Sequence, residues 1–419
     1  MKKTPLYLLT VALLAAACTP KIQERFLQME DIEQVPVAIE NTKAMQIGGP
    51  CQDIEGYIPD TNYLEHTPIK YIRVNVHWFN IADSSKNMVG QSAIDFAKSL
   101  IQTANQDLER NQPMWLPHGN QTPTLPIRHR YVLSPRPNDP TDTGIYFHFV
   151  DDESCYLVHK GKNANLYKRD LIRKYAIQLD TVLNIFILPH HPDSVASPTY
   201  APNSTGVALG TVVKVAGMIE NGQPSWHYRS LINHEIGHSF GLSHTWAYND
   251  GCDDTPQHKQ DCWSRNERPE CKETTSNNVM DYNAEQNAWT PCQIGKVLKR
   301  MADPRSTLRG VLEERWCTLN PNAHIYIKDT IVWAGAKDLE GHLTIEPGGE
   351  LTVRCRLSLP KGAKITIKAG GRLILEDAQL HNACGDLWEG IQIEQIGKAK
   401  GEVFFVGMPS IENTINKVE

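Results

Sequence analysis

The chain has 419 residues, which corresponds to two or three domains of ordinary size. Apolar residues make up 40% of the chain and charged residues 21%, a composition that supports packed cores and excludes a disordered chain. Lys and Arg total 42 against 48 Asp and Glu, and this net charge of −6 argues against a protein built to bind nucleic acid. After the first eighteen positions no apolar run of about 18 residues occurs, so no transmembrane helix is expected.

The first eighteen residues are typical of an export signal. Two lysines precede an apolar run over residues 6–17, which has the length of a signal-peptide core. The run ends in three alanines followed by Cys18, which resembles a bacterial lipobox and predicts lipidation of Cys18. Ordinary cleavage near the alanines is the alternative. Both interpretations predict an exported protein, secreted or held at the outer membrane or cell surface through a lipid anchor.

Residues 19–65 are polar with little periodicity, and we expect a pro-segment or linker. Residues 66–320 mix strand and helix patterns, which predicts an α/β or α+β domain. Helical spacing of apolar residues predicts helices over residues 92–110 and 163–181. Apolar, β-branched and aromatic runs predict strands over residues 71–78, 127–133, 144–150, 183–188 and 206–216.

Residues 321–419 contain a repeat. Residues 343–353 are echoed by residues 365–375, and each segment has a short apolar strand, a Gly-Gly turn and a second apolar strand. This spacing predicts an all-β domain, a parallel β-helix with one coil per repeat, and a β-sandwich is the alternative. The chain stops at Glu419 without an obvious cap, which suggests that the natural product continues or that this chain is a fragment.

The chemistry is predicted to lie in residues 234–244, which read HEIGHSFGLSH. On an α-helix His234 and His238 are four residues apart and share one face, so both imidazoles can bind one cation. Gly241 can adopt the left-handed conformation that ends a helix, and His244 can then return as a third ligand. Three neutral imidazoles with an open fourth position are the ligand set of a single catalytic zinc ion.

Glu235 is the neighbour of His234 and can reach a water on the metal without binding the metal itself. Zinc lowers the pKa of such a water toward about 7, and Glu235 can take its proton and give it to a leaving amine. These residues predict a zinc endopeptidase. The alternatives are a surface adhesin or carbohydrate-binding protein that depends on residues 321–419, and an inactive zinc scaffold. A scaffold has no need of the acid at position 235.

The motif HExxHxxGxxH resembles the zinc signature of the metzincin metalloproteases. Residues 277–282, NNVMDY, are similar to the methionine turn of that family, which implies that Met280 forms an apolar floor beneath the histidines. Residues 241–246, 253–256 and 290–293 resemble the pappalysin branch. The resemblance covers roughly residues 180–300. It implies a two-lobed metzincin-like catalytic domain with a twisted mixed sheet and an active-site helix.

The same resemblance implies how a substrate would be handled. Tyr282 is implied to donate a hydrogen bond to the developing oxyanion, and a purely structural tyrosine is the alternative. An edge strand within residues 206–216 would bind a peptide or protein substrate in extended form.

Four cysteines crowd into residues 252–292, which predicts two disulfides and leaves three pairings open. The resemblance implies one of these pairings, Cys252 with Cys271 and Cys262 with Cys292. It also implies calcium near three acidic residues, Asp250, Asp253 and Asp254, although this sequence is shorter there than the family pattern.

The chain has ten cysteines, and nine remain when Cys18 is set aside. Because nine is odd, at least one thiol lacks an intramolecular partner. Cys51 lies in the polar segment before the first predicted strand. Because a thiolate is a good zinc ligand, we hypothesise that Cys51 fills the open zinc position and keeps the enzyme latent until residues up to about 65 are removed. The alternative is a disulfide of Cys51 with Cys155 or Cys317.

Overall fold

A computed structural model describes residues 21–35, 50–81, 87–150, 155–159, 161, 164–201, 204–246 and 249–418. The predicted signal segment 1–18, with its lipidation site at Cys18, lies outside these residues. Across the described ranges, every helix is too short or too polar to cross a membrane.

Helices lie in the middle of the chain, and strands dominate the part that follows. The helices are α1 (Gly90–Glu109), α2 (Asp170–Tyr175), α3 (Pro192–Val195), α4 (Met218–Asn221), α5 (Arg229–Ser239), α6 (Cys271–Thr274) and α7 (Pro291–Ala302). The strands are β1 (Ile22–Phe26), β2 (Ile32–Val35), β3 (Lys70–Asn80), β4 (His129–Leu133), β5 (Ile145–Phe149), β6 (Leu183–Leu188), β7 (Thr205–Ala208), β8 (Val212–Ala216), β9 (Ile325–Ile327), β10 (Thr330–Trp333), β11 (Lys337–Asp338), β12 (Leu343–Ile345), β13 (Glu350–Val353), β14 (Arg356–Ser358), β15 (Lys364–Ile367), β16 (Arg372–Glu376), β17 (Gln379–His381), β18 (Gly390–Ile396), β19 (Ala399–Lys400), β20 (Glu402–Val406) and β21 (Ser410–Ile411). Short 3₁₀ turns lie at Met29–Asp31, Pro50–Gln52, Ile54–Tyr57, Leu64–His66, Ser225–Tyr228, Thr307–Val311 and Arg315–Cys317.

A mixed sheet forms the centre of the first domain, with strand order β4-β3-β6-β8-β7 and β5 also paired to β3. All pairings are parallel except that of β7 with β8. Helices α1 and α5 pack on one face of the sheet, where apolar residues of α1 at helical spacing are buried. Apolar residues of the segment 155–172 cover the other face. The expected mixed α and β domain is therefore confirmed.

Two predicted elements differ from the structure. The single strand expected over residues 206–216 is the antiparallel pair β7 and β8, because the chain reverses at Gly210, whose φ of +77° suits glycine. The helix expected over residues 163–181 is reduced to the six residues of α2. The backbone carbonyls of Leu166 and Lys168 accept hydrogen bonds from the buried Lys214 ammonium, so they do not serve a helical ladder.

The repeat region forms three sheets whose repeat strands pair in parallel, with strand orders β9-β12-β15-β18, β10-β13-β16-β20 and β11-β14-β17-β21. The two segments recognised in the sequence lie side by side, since Leu343 pairs with Ile365 and Leu351 with Leu373. These four side chains are fully buried in one apolar core. The all-β C-terminal region is thus confirmed.

Residues ahead of the first domain pack against the repeat region. Strand β1 pairs with β18 and β2 pairs with β20, and Leu27 between them enters the apolar core of the repeats. Ile54 contacts Gly295 on α7, and Gly56 approaches the backbone of Gly335 in the repeat region. The described part of residues 19–65 therefore touches both domains.

The cysteine pairing corrects two expectations. Cys51 is bonded to Cys355, which contradicts its predicted role as a metal ligand and also the alternative pairings with Cys155 or Cys317. A sulfur held in a disulfide has no thiolate to offer a metal. The pairing implied for the four clustered cysteines is also wrong. The folded loops bring the Cα atoms of two other pairs within 5.6 Å, a distance that a disulfide can span. The observed bonds are Cys252–Cys292 and Cys262–Cys271, and a further bond joins Cys317 to Cys384.

A buried ion cluster joins the two domains. Asp338 on β11 accepts hydrogen bonds from Arg309 Nη1 at 2.7 Å and from Arg356 Nη1 at 2.6 Å. Arg356 also donates to the backbone oxygen of Ala302, at the end of α7. The single carboxylate is hydrogen-bonded to both guanidinium groups, and these contacts offset part of the penalty for burying the charges.

Candidate metal centre and active site

Helix α5 carries the first two histidines. Ile232 and Ile236 are fully buried in the core of the first domain and anchor the helix. The helix ends at Ser239, and Gly241 follows with a φ of +89°. The left-handed glycine turns the chain as the sequence predicts, and the backbone N–H of Leu242 then donates to the carbonyl of Gly237 at 3.0 Å.

The turn brings three imidazoles together. The Nε2 atoms of His234 and His238 are 3.1 Å apart, those of His238 and His244 are 3.0 Å apart, and those of His244 and His234 are 3.3 Å apart. All three ring nitrogens therefore point at one another. Imidazoles gathered this closely cannot all be charged, because like charges at such short distances repel and favour the neutral form.

Backbone carbonyls fix the orientation of two of these rings. His234 Nδ1 lies 2.7 Å from the carbonyl oxygen of Val279, and His238 Nδ1 lies 2.8 Å from that of Leu242. Because a carbonyl oxygen only accepts, each Nδ1 carries the hydrogen and each Nε2 presents a lone pair to the centre. Burial is the main cause that lowers the pKa of His234 to about 3 and that of His244 to about 4, so both rings are neutral near pH 7.

The histidine trio fits a zinc ion. A tetrahedral ion with Zn–N bonds of about 2.0–2.1 Å has its nitrogens roughly 3.3–3.4 Å apart, close to the observed separations. Among the described residues, one other group of metal-binding type gathers, Cys252, Asp254 and Cys292, but its two sulfurs are joined in a disulfide. The three histidines are therefore the residues that would hold the metal.

Calcium near Asp250, Asp253 and Asp254 stays a prediction. Asp250 uses Oδ1 to accept hydrogen bonds from the backbone of Cys252 and from the Thr255 hydroxyl. The Lys296 ammonium donates to the backbone carbonyl of Asp250. The Lys296 ammonium therefore already occupies the backbone oxygen of Asp250, which a calcium ion could otherwise use as a ligand.

Glu235 lies on α5 beside the histidine trio and is 4% exposed. Its Oε2 atom is buried and has no hydrogen-bond partner within the described parts of the chain. Burial raises the pKa of Glu235 to about 8. A buried carboxyl oxygen without a partner is costly unless something else occupies the site, and a water molecule is a suitable partner.

Met280 lies beneath the histidine helix. It is fully buried, and its Sδ is 2.8 Å from the position that a Cβ on Gly237 would take. Gly237 is on the helical turn between His234 and His238, so the thioether packs under the two ligands. The side-chain oxygen of Asn278 accepts from the Met280 N–H at 2.9 Å and holds the turn.

Tyr282 lies two residues further along and is 48% exposed. Its ring centroid is 4.7 Å from that of His244 and 5.7 Å from that of His234. The indole of Trp246 lies 4.4 Å from the Tyr282 ring and also stacks on His244 at 4.3 Å. Two of the three histidines thus form one contact group with Trp246 and Tyr282.

Asp281 ties the segment after His244 to the segment that carries Met280. Its buried carboxylate accepts from the hydroxyl of Thr245 at 3.0 Å and from His258 Nε2 at 3.1 Å. Burial by itself would lower the pKa of His258, but the hydrogen bond to Asp281 and the charge of that carboxylate outweigh it and raise the pKa. The three side chains form a polar link beside the metal centre.

Sequence reasoning missed the roles of Trp246, His258 and Gly206. Trp246 follows His244 by two residues, so its proximity could have been found from the motif. His258 carries no sequence signal, because only the folded loop brings it to Asp281. Gly206 on β7 lies against the side chain of Glu235 on α5, where a larger residue would collide with the carboxyl group. Only the folded structure shows this close approach.

Comparisons with known proteins bear on the same region. Residues 179–302 match the model of the family described as pregnancy-associated plasma protein-A, whose members are metallopeptidases. This range contains the histidine trio, Glu235, Met280 and Tyr282. A comparison with curated proteins gave no match.

Several solved structures are similar to part of the chain. A mirolysin in complex with compound 9 is 19% identical, with a TM-score of 0.40, and the match covers 58% of this chain and 96% of that one. Mature mirolysin of Tannerella forsythia in complex with a cleaved peptide is 19% identical, with a TM-score of 0.38 and coverage of 58% and 95%. A promirolysin variant of Tannerella forsythia is 18% identical, with a TM-score of 0.42 and coverage of 58% and 84%.

Proposed function

From the premise that this chain carries a pappalysin-type metallopeptidase segment over residues 179–302, we propose that it is a zinc-dependent endopeptidase with Glu235 as the general base. The observation that carries the proposal is the triangle of Nε2 atoms, 3.0–3.3 Å on a side, formed by His234, His238 and His244. Three protein nitrogens with a fourth position left for water or substrate are the coordination that a catalytic zinc needs.

In the proposed mechanism the metal and Glu235 have different chemical roles. A zinc ion held by the three imidazoles supplies Lewis acidity, which acidifies a water and polarises a carbonyl. Glu235 takes one proton from the attacking water as its oxygen bonds to the scissile carbonyl carbon. It then gives that proton to the leaving nitrogen as the C–N bond breaks. Burial raises the pKa of Glu235, which makes its carboxylate a stronger base toward the water proton.

Tyr282 and β7 are proposed to hold the substrate. The Tyr282 ring lies 4.7 Å from the His244 ring and 5.7 Å from the His234 ring. From this position its hydroxyl is proposed to donate a hydrogen bond to the carbonyl oxygen as negative charge develops. Strand β7 ends the order of the mixed sheet and passes beside Glu235 at Gly206. A peptide in extended form can add to this strand through backbone hydrogen bonds.

The test uses Glu235→Gln, which keeps the size of the side chain and removes its ability to take a proton. The variant should bind one zinc per chain by metal analysis and lose more than about 100-fold of the activity on a quenched-fluorescent peptide library. The exposed Glu109→Gln on α1 is the matched control and should retain activity. Full activity in Glu235→Gln, or a wild-type chain that binds no zinc, would overturn the proposal.

For the repeat region we propose a parallel β-helix. The support is the set of three sheets, each built from parallel strands contributed in turn by successive repeats. One coil would consist of β12, β13 and β14, and the next of β15, β16 and β17. Stacking of this kind buries the same apolar positions in every coil.

We also propose export, with lipidation at Cys18. The signal-like residues 1–18 support it, and so do the disulfides of the described chain, since such bonds persist mainly outside the cytosol. Labelling of cells with a radioactive fatty acid should mark the wild type and not Cys18→Ser. Equal labelling of the two would exclude the anchor.

A further inference from the structure

Three aromatic rings meet at the rim of the histidine trio. We call the set of His244, Trp246 and Tyr282 the aromatic cluster. Trp246 and His244 stack with 23° between their planes and 4.3 Å between centroids, Trp246 and Tyr282 are 4.4 Å apart, and Tyr282 meets His244 edge-on at 4.7 Å. Each ring therefore contacts both others, so none can turn without disturbing the other two.

The positions of Trp246 and Tyr282 are also joined through their neighbours. Thr245 donates its hydroxyl to the carboxylate of Asp281 at 3.0 Å, and both groups are buried. Thr245 immediately precedes Trp246, and Asp281 immediately precedes Tyr282. The hydrogen bond fixes the two backbones against each other, and the ring contact then fixes the two side chains.

Tyr282 needs such support because nearly half of its surface is exposed. An exposed side chain samples several rotamers unless neighbours exclude them, and a catalytic hydrogen-bond donor is effective only when it is held in place beforehand. Two of the imidazoles are held by backbone carbonyls, and all three by the metal they are proposed to bind. Trp246 contacts both His244 and Tyr282, so its indole restricts the positions that the Tyr282 ring can take beside the imidazoles.

We propose that Trp246 is a positioning residue for Tyr282, holding its phenol over the metal ligands so that it can donate to the carbonyl oxygen of the substrate. The inference rests on the proposed endopeptidase function and adds a residue to its machinery. Trp246 itself has no group that takes part in proton transfer, so any effect on catalysis must pass through a neighbouring side chain, and we propose that this side chain is Tyr282.

A different role for Trp246 would be support of His244 as a ligand, since their rings also stack. The two roles give different results. Loss of support for His244 weakens zinc binding whether or not the phenol hydroxyl is present. Loss of support for Tyr282 leaves zinc bound and matters only while the hydroxyl is there.

The experiment is a double-mutant cycle of Trp246→Ala and Tyr282→Phe on the full-length, zinc-loaded chain. Trp246→Ala should lower kcat roughly three- to tenfold, the effect of losing an aromatic contact, with KM changed less than about twofold. In the Tyr282→Phe background the same substitution should change kcat by less than about twofold. Trp246→Phe should restore most of the activity, and the exposed Trp226→Ala is the control that should leave it unchanged.

A second readout does not depend on turnover. Binding of a phosphinic peptide, which mimics the tetrahedral geometry, is measured by calorimetry for the same four chains. Trp246→Ala should weaken it only when Tyr282 is present, and metal analysis should find one zinc in every chain.

Equal losses in the two backgrounds, or loss of zinc from Trp246→Ala, would overturn the inference while leaving the endopeptidase proposal intact. A zinc-loaded wild type that cleaves no peptide would overturn both.

Discussion

The backbone of Gly206 lies directly against the carboxyl group of Glu235. A Cβ added at Gly206 would be 2.5 Å from Glu235 Cδ and 2.6 Å from Cγ, distances at which one of the two must move. Gly206 is on β7, where the substrate is proposed to bind, and Glu235 is the proposed base on α5. The strand proposed to align the peptide and the carboxyl group proposed to move the proton are therefore in contact.

Gly206→Ala should displace Glu235 and lower kcat on the order of 100-fold, because a shift of about 1 Å in a catalytic group can cost that much. Zinc content should not change, since the imidazoles are held by Val279 and Leu242 on other segments. Steady-state kinetics and metal analysis measure the two effects. Thr205→Ala, which only removes atoms from the same strand, is the control. A Gly206→Ala enzyme with half of the wild-type activity would contradict the contact.

Met280→Ala should destabilise the first domain by about 2–5 kcal/mol, because it leaves a cavity beneath α5 where the thioether packs on Gly237. Met280→Leu, which nearly conserves volume, should cost less than about 1.5 kcal/mol. The free energy of unfolding in urea measures both. Met408→Ala, at a position 91% exposed, should have little effect. If Met280→Ala were as stable as Met408→Ala, Met280 would not be the floor of the site.

Cys51→Ser should leave the peptidase activity of the full-length chain unchanged, because the Cys51 sulfur is bonded to Cys355 and not to the metal centre. The variant should lose stability by roughly 2–4 kcal/mol, the usual cost of removing a disulfide. Peptide cleavage and urea unfolding give the two results. Cys384→Ser, which opens the Cys317–Cys384 bond, is the matched control. A rise in activity seen with Cys51→Ser alone would restore the idea of a latency switch.

Asp338→Ala should destabilise the chain by about 3–5 kcal/mol, since it leaves Arg309 and Arg356 buried without their shared carboxylate. Asp386→Asn, which breaks the exposed pair with Lys361, should cost no more than about 1 kcal/mol. Urea unfolding of both variants tests the difference. If the two variants lost the same unfolding free energy, the buried cluster would not stabilise the contact between the domains.

The same cluster predicts a pH dependence of stability. Burial by itself would raise the pKa of Asp338, but the charges of Arg356, Lys70 and Arg309 hold it far below its ordinary value of 3.8. The stabilisation is therefore present above pH 3.8, the unfolded value, and is lost as the pH falls through the folded value. The difference in unfolding free energy between wild type and Asp338→Asn should be constant from about pH 7 to 5 and shrink below about pH 4. A difference that grows toward acid pH would contradict the assignment.

Parts of the fold that depend on local pattern could be predicted. The strand at Leu183–Leu188 and the helix at Gly90–Glu109 follow the expected residues closely, because burial on one or both faces imposes a readable spacing. The helix expected over residues 163–181 forms only over Asp170–Tyr175. Before it, the carbonyls of Leu166 and Lys168 accept hydrogen bonds from the buried Lys214, a contact that the order of residues 163–181 does not predict. After it, Gln178 and Asp180 have φ values of +51° and +67°, which are incompatible with a continuing helix.

The amino-acid sequence by itself determines the spacing of the histidines at 234, 238 and 244. It also determines the repeat of residues 343–353 at 365–375. In the folded chain, a helical turn and a left-handed glycine bring the three histidine nitrogens together, and the two repeat segments lie side by side as paired parallel strands. The partner of each cysteine, the approach of Gly206 to Glu235 and the contact of Trp246 with Tyr282 were decided only by tertiary structure. These pairs are brought together by packing of whole elements, and the energy of such packing depends on shapes and distances that residue order alone does not specify.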